Sequence, residues 1–367
     1  MLSSRPCRDL LLRELRFLMI SNRFAWYAFW RSLTQWIGGL GIVFFTIAVL
    51  PVFTSGGVQL FSAESTGVTH DRTHPKINVM AKWLWTVYLI LTLAETILLM
   101  LGGMSLFDAV CQSFATTATG GYSTKQASIS YWNSPFIEYV VAIFMLLSGV
   151  NFALFLMCLR GKVSRLLRDE ELRWFLGSVA ILTFLITFAL VFQNHYDWEL
   201  AFRKALFQVS TVHTSCGFAT DDYNMWPPFT WLLLFIAMLS GGCTGSTSGG
   251  IKNMRLLIVA RAIRNEFKHL LHPNAVLPVR INKQTVSSSI VTTVLIFFAF
   301  YLVLILIGWT ALLFLGVGFS ESCQLLVIFE YRQWSGSGIG NLRACHISWN
   351  SLPDLAKWIL SFLMLVG

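Results

Sequence analysis

Charged residues are scarce in this 367-residue chain: Asp, Glu, Lys and Arg make up only 12% of it, against about 25% of a typical soluble domain. Its seven Cys are scattered, and none forms a C-x-x-C pair. The low charge excludes an ordinary soluble enzyme and a disordered chain, and the Cys spacing indicates neither a zinc site nor a disulfide framework. Apolar residues make up 55% of the chain instead, including 30 Phe and 14 Trp. The composition therefore predicts an integral membrane protein.

Long apolar runs supply the membrane-spanning segments. A helix that crosses the hydrocarbon needs about 20 mainly apolar residues. Another such run begins near Leu355, and complete runs lie near 33–53, 82–102, 136–159, 174–193, 229–248 and 286–316. The shorter alternating segments of a transmembrane β-barrel do not occur. The sequence therefore predicts an all-α polytopic membrane protein.

Basic residues are concentrated between these runs. The segments 54–82, 160–173 and 252–283 hold 15 of the 27 Lys and Arg residues. Basic loops mark the cytoplasmic side of a membrane protein. The net charge of +9 is thus mostly a topology signal, and we do not expect a nucleic-acid partner.

Two segments on the opposite side share a pattern of a half-length helix followed by Thr, Ser and Gly. Ala115–Ser123 and Thr211–Thr220 carry no charged side chain, and Gly120 and Gly217 lie 97 positions apart, which we interpret as an internal repeat. Such loops can point carbonyl oxygens at a cation, and the preceding helix directs the negative end of its dipole there. The alternative is a pair of re-entrant loops that bind no ion. The candidate ion-binding residues are Thr117, Ala118, Thr119, Gly120, Gly121, Thr214, Ser215, Cys216, Gly217 and Phe218.

A third feature is the glycine-rich stretch 241–250. A continuous helix is not expected there, because glycine disfavours helix and Thr and Ser fill most other positions. The hypothesis is a movable gate below the two loops, and the alternative is close helix–helix packing through small residues. The candidate gate residues are Gly241, Gly242, Gly245, Gly249, Gly250 and the adjacent Lys252.

These segments resemble the Trk/Ktr/HKT superfamily, and within it the TrkH-type subunits of bacterial potassium uptake. Ala115–Thr124 resembles the second pore loop of that family, Trp30–Gly41 the helix after the first pore loop, and Ser240–Lys252 the intramembrane gating loop. The resemblance covers about 25–322 and 348–367. It implies four span–pore helix–filter loop–span units around a pseudo-fourfold pore.

The resemblance also implies a function and an assembly. The transported ion would be potassium, held at Ala118, Thr119, Ser215 and Cys216, with no covalently bound cofactor. The protein would be a homodimer in the bacterial inner membrane, with a cytoplasmic nucleotide-binding regulatory subunit of the TrkA type. Because the sequence has no nucleophile–base constellation, we do not expect an enzyme.

The domain organisation follows from the same resemblance, but two segments depart from it. Residues 1–24 and 324–347, where the first and fourth filter loops are expected, are rich in charged and bulky residues. We interpret both as out-of-frame remnants, and we expect little selective transport from the chain as printed. The remaining units are 25–53 (second span of unit 1), 54–81 (cytoplasmic loop), 82–160 (unit 2), 161–283 (unit 3) and 284–367 (incomplete unit 4).

A rival function is a secondary solute transporter whose discontinuous helices bind an organic substrate. That function calls for charged or aromatic contacts in the broken spans, whereas the loops here are small and neutral. Glu95, inside the 82–102 run, is costly in a membrane and therefore a candidate for a specific role. The sequence does not name its partner.

Overall fold

The computed structural model describes residues 25–39, 77–125, 127–159, 168–272, 274, 277–282, 284–316, 354–356 and 358–359. The two segments interpreted as out of frame, 1–24 and 324–347, lie outside the described residues, as does nearly all of the 54–81 loop. Within the described ranges the regular secondary structure is helical apart from one small hairpin, which confirms the predicted all-α class.

The helices are numbered α1 to α10 in chain order. They are α1 (25–39), α2 (Ile77–Leu101), α3 (Leu106–Thr117), α4 (Pro135–Ser148), α5 (Phe152–Leu159), α6 (Glu170–Asn194), α7 (Trp198–His213), α8 (Pro228–Ser240), α9 (Asn253–Leu271) and α10 (Ser288–Phe314). Short 3₁₀ turns cover Ser128–Trp132 and Tyr223–Met225. The antiparallel strands β1 (Arg280–Ile281) and β2 (Gln284–Thr285) pair Arg280 with Thr285.

Among the described residues, three helices are long and apolar enough to cross a membrane: Lys82–Leu101 within α2, the whole of α6, and the whole of α10. They correspond to the predicted runs 82–102, 174–193 and 286–316. In α10 only 11% of the most apolar window is buried inside the chain. A helix that exposes so much apolar surface needs lipid around it.

The predicted continuous span 136–159 is wrong. The chain forms α4 and α5 with a non-helical break at residues 149–151. Gly149 packs so closely against the loop after α7 that a Cβ there would lie 2.9 Å from Thr214 Cγ2. Ala153 N then donates to Asn151 Oδ1 at 2.9 Å and starts a new helix. The 229–248 run is helical only in α8, as its glycines led us to expect.

The short helices α3 and α7 lie in the interior of the bundle. α3 packs against α2 and α4, and α7 packs against α4, α6 and α8. Asp108 N donates to Ser105 Oγ at 3.1 Å to cap the start of α3, and Leu172 N donates to Asp169 Oδ1 at 2.9 Å to cap α6. This arrangement brings the C-terminal ends of α3 and α7 to the centre of the described structure.

Candidate functional site

The loops that follow α3 and α7 have the same backbone conformation. Thr119 and Ser215 adopt left-handed φ angles of +51° and +53°, and glycines two positions later, Gly121 and Gly217, have φ of +66° and +92°. Gly120 N donates to Ala115 O at 2.7 Å. These matches pair residues 96 positions apart, so the 97-position pairing of Gly120 with Gly217 is wrong by one residue.

A left-handed conformation is unusual for Thr and Ser and requires support from its surroundings. Each hydroxyl donates to the preceding carbonyl, Thr119 Oγ1 to Ala118 O at 2.8 Å and Ser215 Oγ to Thr214 O at 2.7 Å. Both residues are at least nine-tenths buried. The same strained residue, supported in the same way, thus occurs at the end of both short helices.

The glycine-rich segment lies against both loops. Thr119 Oγ1 also lies 3.0 Å from Thr247 O, so its one proton is shared between this carbonyl and Ala118 O, and Thr247 Oγ1 donates to Thr117 O at 3.0 Å. On the other loop, Gly249 N donates to Ser215 Oγ at 2.6 Å. Each of the two equivalent left-handed residues therefore contacts the segment.

The glycine-rich segment is not helical, so the alternative of helix–helix packing through it is excluded. Gly241 and Gly245 have φ of +65° and +77°. A Cβ on Gly241 would lie 2.8 Å from Gly249 O, so only glycine fits where the segment folds back on itself. Lys252 Nζ donates to Ser248 O within the segment. The predicted break is thus a compact folded loop.

The segment is also fixed to the rest of the bundle. Cys243 N donates to Gly149 O at 2.9 Å, and Phe152 N donates to Gly245 O at 3.1 Å, so the break in the α4–α5 span binds it directly. Thr244 N donates to the carboxylate of Glu171 at 2.6 Å. Sequence reasoning missed Glu171 because it lies 73 positions away.

Helix α1 packs against the first loop and supports it. The sequence indicated this role only through the resemblance of Trp30–Gly41 to the helix after the first pore loop of the family. Gln35 Nε2 donates to Gly120 O at 3.1 Å, and Arg31 Nη2 donates to Ser123 O at 2.8 Å. A Cβ on Gly39 would lie 2.8 Å from Ala118 Cα. Glycine at this position lets α1 approach the loop backbone.

A buried ionic cluster holds the second loop. Lys204 Nζ donates to Thr220 O at 2.9 Å and to Glu138 at 3.2 Å. Arg203 Nη1 pairs with the other oxygen of Glu138 at 2.8 Å, and the side chain of Glu138 is 1% exposed. Since Glu138 lies on α4 and the two cations lie on α7, this cluster could not be predicted from a local sequence pattern.

The remaining predicted residues have mixed environments. Cys216 and Phe218 are packed in an apolar cluster, so their side chains are structural and only their backbone is available to an ion. Glu95 is fully buried on α2, near Thr116 and Thr117 at the end of α3, and among the described residues neither of its carboxylate oxygens has a hydrogen-bond partner. The structure therefore places Glu95 beside the short helix α3 but gives it no hydrogen-bond partner there.

Comparison with known proteins identifies the family. A family model described as "TrkH: Cation transport protein" matches residues 18–367. The chain belongs to the TrkH family. It is 38% identical over 343 residues to the Trk system potassium uptake protein TrkH of Escherichia coli K12, covering 92% of this chain and 70% of the relative. It is 33% identical over 343 residues to TrkG of the same organism, covering 93% and 70%.

A solved TrkH structure has the same fold. The crystal structure of the potassium transporter TrkH from Vibrio parahaemolyticus superimposes with a TM-score of 0.78 at 31% identity, covering 93% of this chain and 69% of that one. The predicted resemblance and the helical membrane fold are confirmed. Membership of the TrkH family also makes the chain a transporter rather than an enzyme.

Proposed function

We propose that this chain is the potassium-translocating subunit of a bacterial uptake system, a multi-pass protein of the inner membrane. The relatives named as potassium uptake proteins support the substrate. The observation that carries the mechanism is the pair of loops after α3 and α7, which share one strained backbone conformation and lie against one glycine-rich segment. Potassium is the substrate, and the mechanism needs no covalent cofactor.

Selectivity would come from backbone oxygen atoms. In the first loop these belong to Thr117–Gly121, with Ala118 and Thr119 as the central positions. In the second loop they belong to Thr214–Phe218, with Ser215 and Cys216 at the centre. Carbonyl oxygens replace the hydration shell of the cation, and the C-terminal ends of α3 and α7 add negative potential. An inside-negative membrane potential favours uptake by about 2.3 kcal/mol per charge per 100 mV.

The glycine-rich segment would be the gate, held closed in this conformation. Thr247 occupies a carbonyl oxygen of Thr117 that the filter offers to an ion, so a passing ion and Thr247 compete for it. The ammonium group of Lys252, next to the segment, adds a positive charge there through its hydrogen bond to Ser248 O. Because the segment has five glycines and is held by single hydrogen bonds, it can move away from the two loops without the unfolding of a helix.

The complete pore would have four such loops, two of them supplied by the units around α3 and α7. The domain division of the sequence, with units 82–160 and 161–283 and remnants at 1–24 and 324–347, belongs to this proposal. So do the expected partners: a second copy of the chain, the lipid bilayer and a cytoplasmic nucleotide-binding subunit of the TrkA type.

One observation supports the rival function, a secondary transporter for an organic solute. Two broken spans meet at 149–151 and 241–252. In the described residues, however, the polar groups at these breaks bind each other. Cys243 N donates to Gly149 O, and Phe152 N donates to Gly245 O. That mutual pairing favours an ion pore over an organic-substrate site.

The test is rubidium uptake by a potassium-starved bacterial host that lacks its own uptake systems. One strain carries the printed chain, and another carries a chain whose 1–24 and 324–347 segments are replaced by the corresponding segments of the E. coli relative. We expect rapid rubidium uptake only from the second, because it has four complete loops. A repaired chain that reaches the membrane at normal level without rubidium uptake would contradict the proposal.

A further inference from the structure

A basic cleft opens where the start of α6 packs against α9. Its volume is about 520 Å³, and its lining includes Glu170, Arg173 and Trp174 from α6 and Leu257, Arg261 and Arg264 from α9. Three guanidinium groups thus share one cleft with a single carboxylate. The positive-inside distribution of the chain puts this end of α6 on the cytoplasmic side.

Two of the three arginines keep their charge available. Glu170 already pairs with Arg261 Nη2 at 2.8 Å and also accepts a hydrogen bond from Asn282 N. Within the described residues, neither Arg173 nor Arg264 forms an ion pair, and both side chains are exposed. The cleft therefore has a net charge of +2 and room for an anion.

The surroundings of the cleft indicate that the anion belongs to a lipid. Trp174 is 47% exposed, and Ile181 and Phe188 continue its face of α6 with 63% and 49% exposure. Such an apolar face lies against acyl chains, and tryptophan is typical of the level of the headgroups. A basic pocket between spans at the cytoplasmic surface suits a phosphate headgroup.

We infer that this cleft binds the phosphate headgroup of an anionic phospholipid from the cytoplasmic leaflet, with its acyl chains along the Trp174 face of α6. Arginine binds phosphate oxygens bidentately, which lysine cannot do. Arg173 and Arg264 supply the two guanidinium groups that have no carboxylate partner among the described residues, and Arg173 Nη2 also donates to Arg168 O at 3.4 Å. Arg261 is shared between the lipid and Glu170. This inference does not depend on the transport function proposed above.

The test counts lipids on the full chain in neutral detergent by native mass spectrometry, with dioleoylphosphatidylglycerol and dioleoylphosphatidylcholine offered in equal amounts. We expect the wild type to retain the anionic lipid, phosphatidylglycerol, preferentially. Each arginine near a membrane surface contributes about fivefold in affinity, so R173Q/R264Q should lose roughly 25-fold. The matched control, K268Q/R280Q, removes two exposed charges of the same cytoplasmic region that do not line the cleft, and should keep the preference.

The single variants R264Q and R264K provide a second measurement at an exposed position where folding is not at risk. R264Q should lose about fivefold in affinity, and R264K should lose less. Retention of phosphatidylglycerol by R173Q/R264Q at the wild-type level would overturn the assignment. Displacement of the lipid by inorganic phosphate at the same concentration as by a short-chain phosphatidylglycerol would also overturn it, in favour of a soluble-anion site.

Discussion

The two loops after α3 and α7 match at their inner ends, next to the short helices (118–121 and 214–217). They differ at their outer ends, which follow along the chain (122–125 and 218–220). Their inner ends share the left-handed residue, the hydroxyl bond to the preceding carbonyl and the contact with the glycine-rich segment. Beyond the first loop, Lys125 and Asp108 form a partly exposed pair at 3.6 Å, with Lys125 34% exposed. Beyond the second, the support is the buried group of Glu138, Arg203 and Lys204.

The difference teaches which features of a repeat are local. The inner end is built from residues within a few positions of the helix end, so two copies of similar sequence fold alike there. The outer ends differ in their neighbours, since Lys125 pairs with Asp108 of the short helix before the same loop, whereas the second loop depends on Glu138 from α4. Substitutions at the two ends should therefore have different consequences.

The largest effect is expected from Glu138→Ala. The substitution leaves Arg203 and Lys204 as buried cations without their shared carboxylate, which costs about 3–5 kcal/mol of stability. Thermal unfolding in detergent measures it. Glu199→Ala is the control, because Glu199 also pairs with Arg203 but is 61% exposed, and its loss should cost under about 1 kcal/mol. Equal costs for the two variants would contradict the buried ionic support.

The next effect is expected at the loop glycines. A residue with a Cβ is tolerated near φ of about +50° to +70°, so Gly121 at +66° should accept alanine better than Gly217 at +92°. The strain of Gly217→Ala is roughly 1–3 kcal/mol. In the repaired chain, rubidium uptake should fall more for Gly217→Ala than for Gly121→Ala.

Gly103→Ala serves as the control for the loop glycines. Gly103 has φ of +93°, and nothing lies within 4 Å of a Cβ there, so alanine brings the same backbone strain away from the loops. It should lower stability and leave uptake per molecule unchanged. If it lowers uptake as much as Gly217→Ala, the loop glycines have no special part in transport.

The spans and the inner ends of the loops could be predicted from sequence because their signals are local. Hydropathy locates α2, α6 and α10, and five glycines in ten positions prevent a helix at 241–250. The break at 149–151 was missed because a single glycine in an apolar run is compatible with a helix. Only its contacts with the glycine-rich segment, which lies almost a hundred positions further along the chain, account for it.

The register of the repeat and the supports of the loops needed the structure for a different reason. Aligning glycine with glycine pairs Gly120 with Gly217. The backbone hydrogen bonds instead pair Gly120 with Cys216, because the N–H of each donates to the carbonyl five positions earlier. The conformation repeats at the left-handed residue, which is Thr in one copy and Ser in the other. Supports such as Gln35, 85 positions from its partner Gly120, have no counterpart in the pattern of either loop.

A moderate effect is expected where the glycine-rich segment meets the loops. Thr119→Val and Ser215→Ala each remove hydroxyl contacts that hold the proposed gate closed, at about 0.5–1.5 kcal/mol per hydrogen bond. Potassium flux into vesicles that contain the repaired chain should rise about two- to tenfold for each variant. Ser246→Ala is the control, since the partner of Ser246 Oγ among the described residues is Cys243 O, inside the segment itself. Lower flux from both test variants would argue against a gate.

The smallest effect is expected from Asp108→Asn in the outer support of the first loop. Asparagine still accepts the hydrogen bond that Thr124 Oγ1 donates at 2.6 Å, and Lys125 can turn to water, so the cost should stay under about 1 kcal/mol. At 1 M salt the screening length is about 3 Å, and the difference from wild type in thermal unfolding should largely vanish. The cost of Glu138→Ala should persist there, because buried charges are screened far less. Equal salt dependence of the two variants would mean that both loops are supported by the same kind of contact.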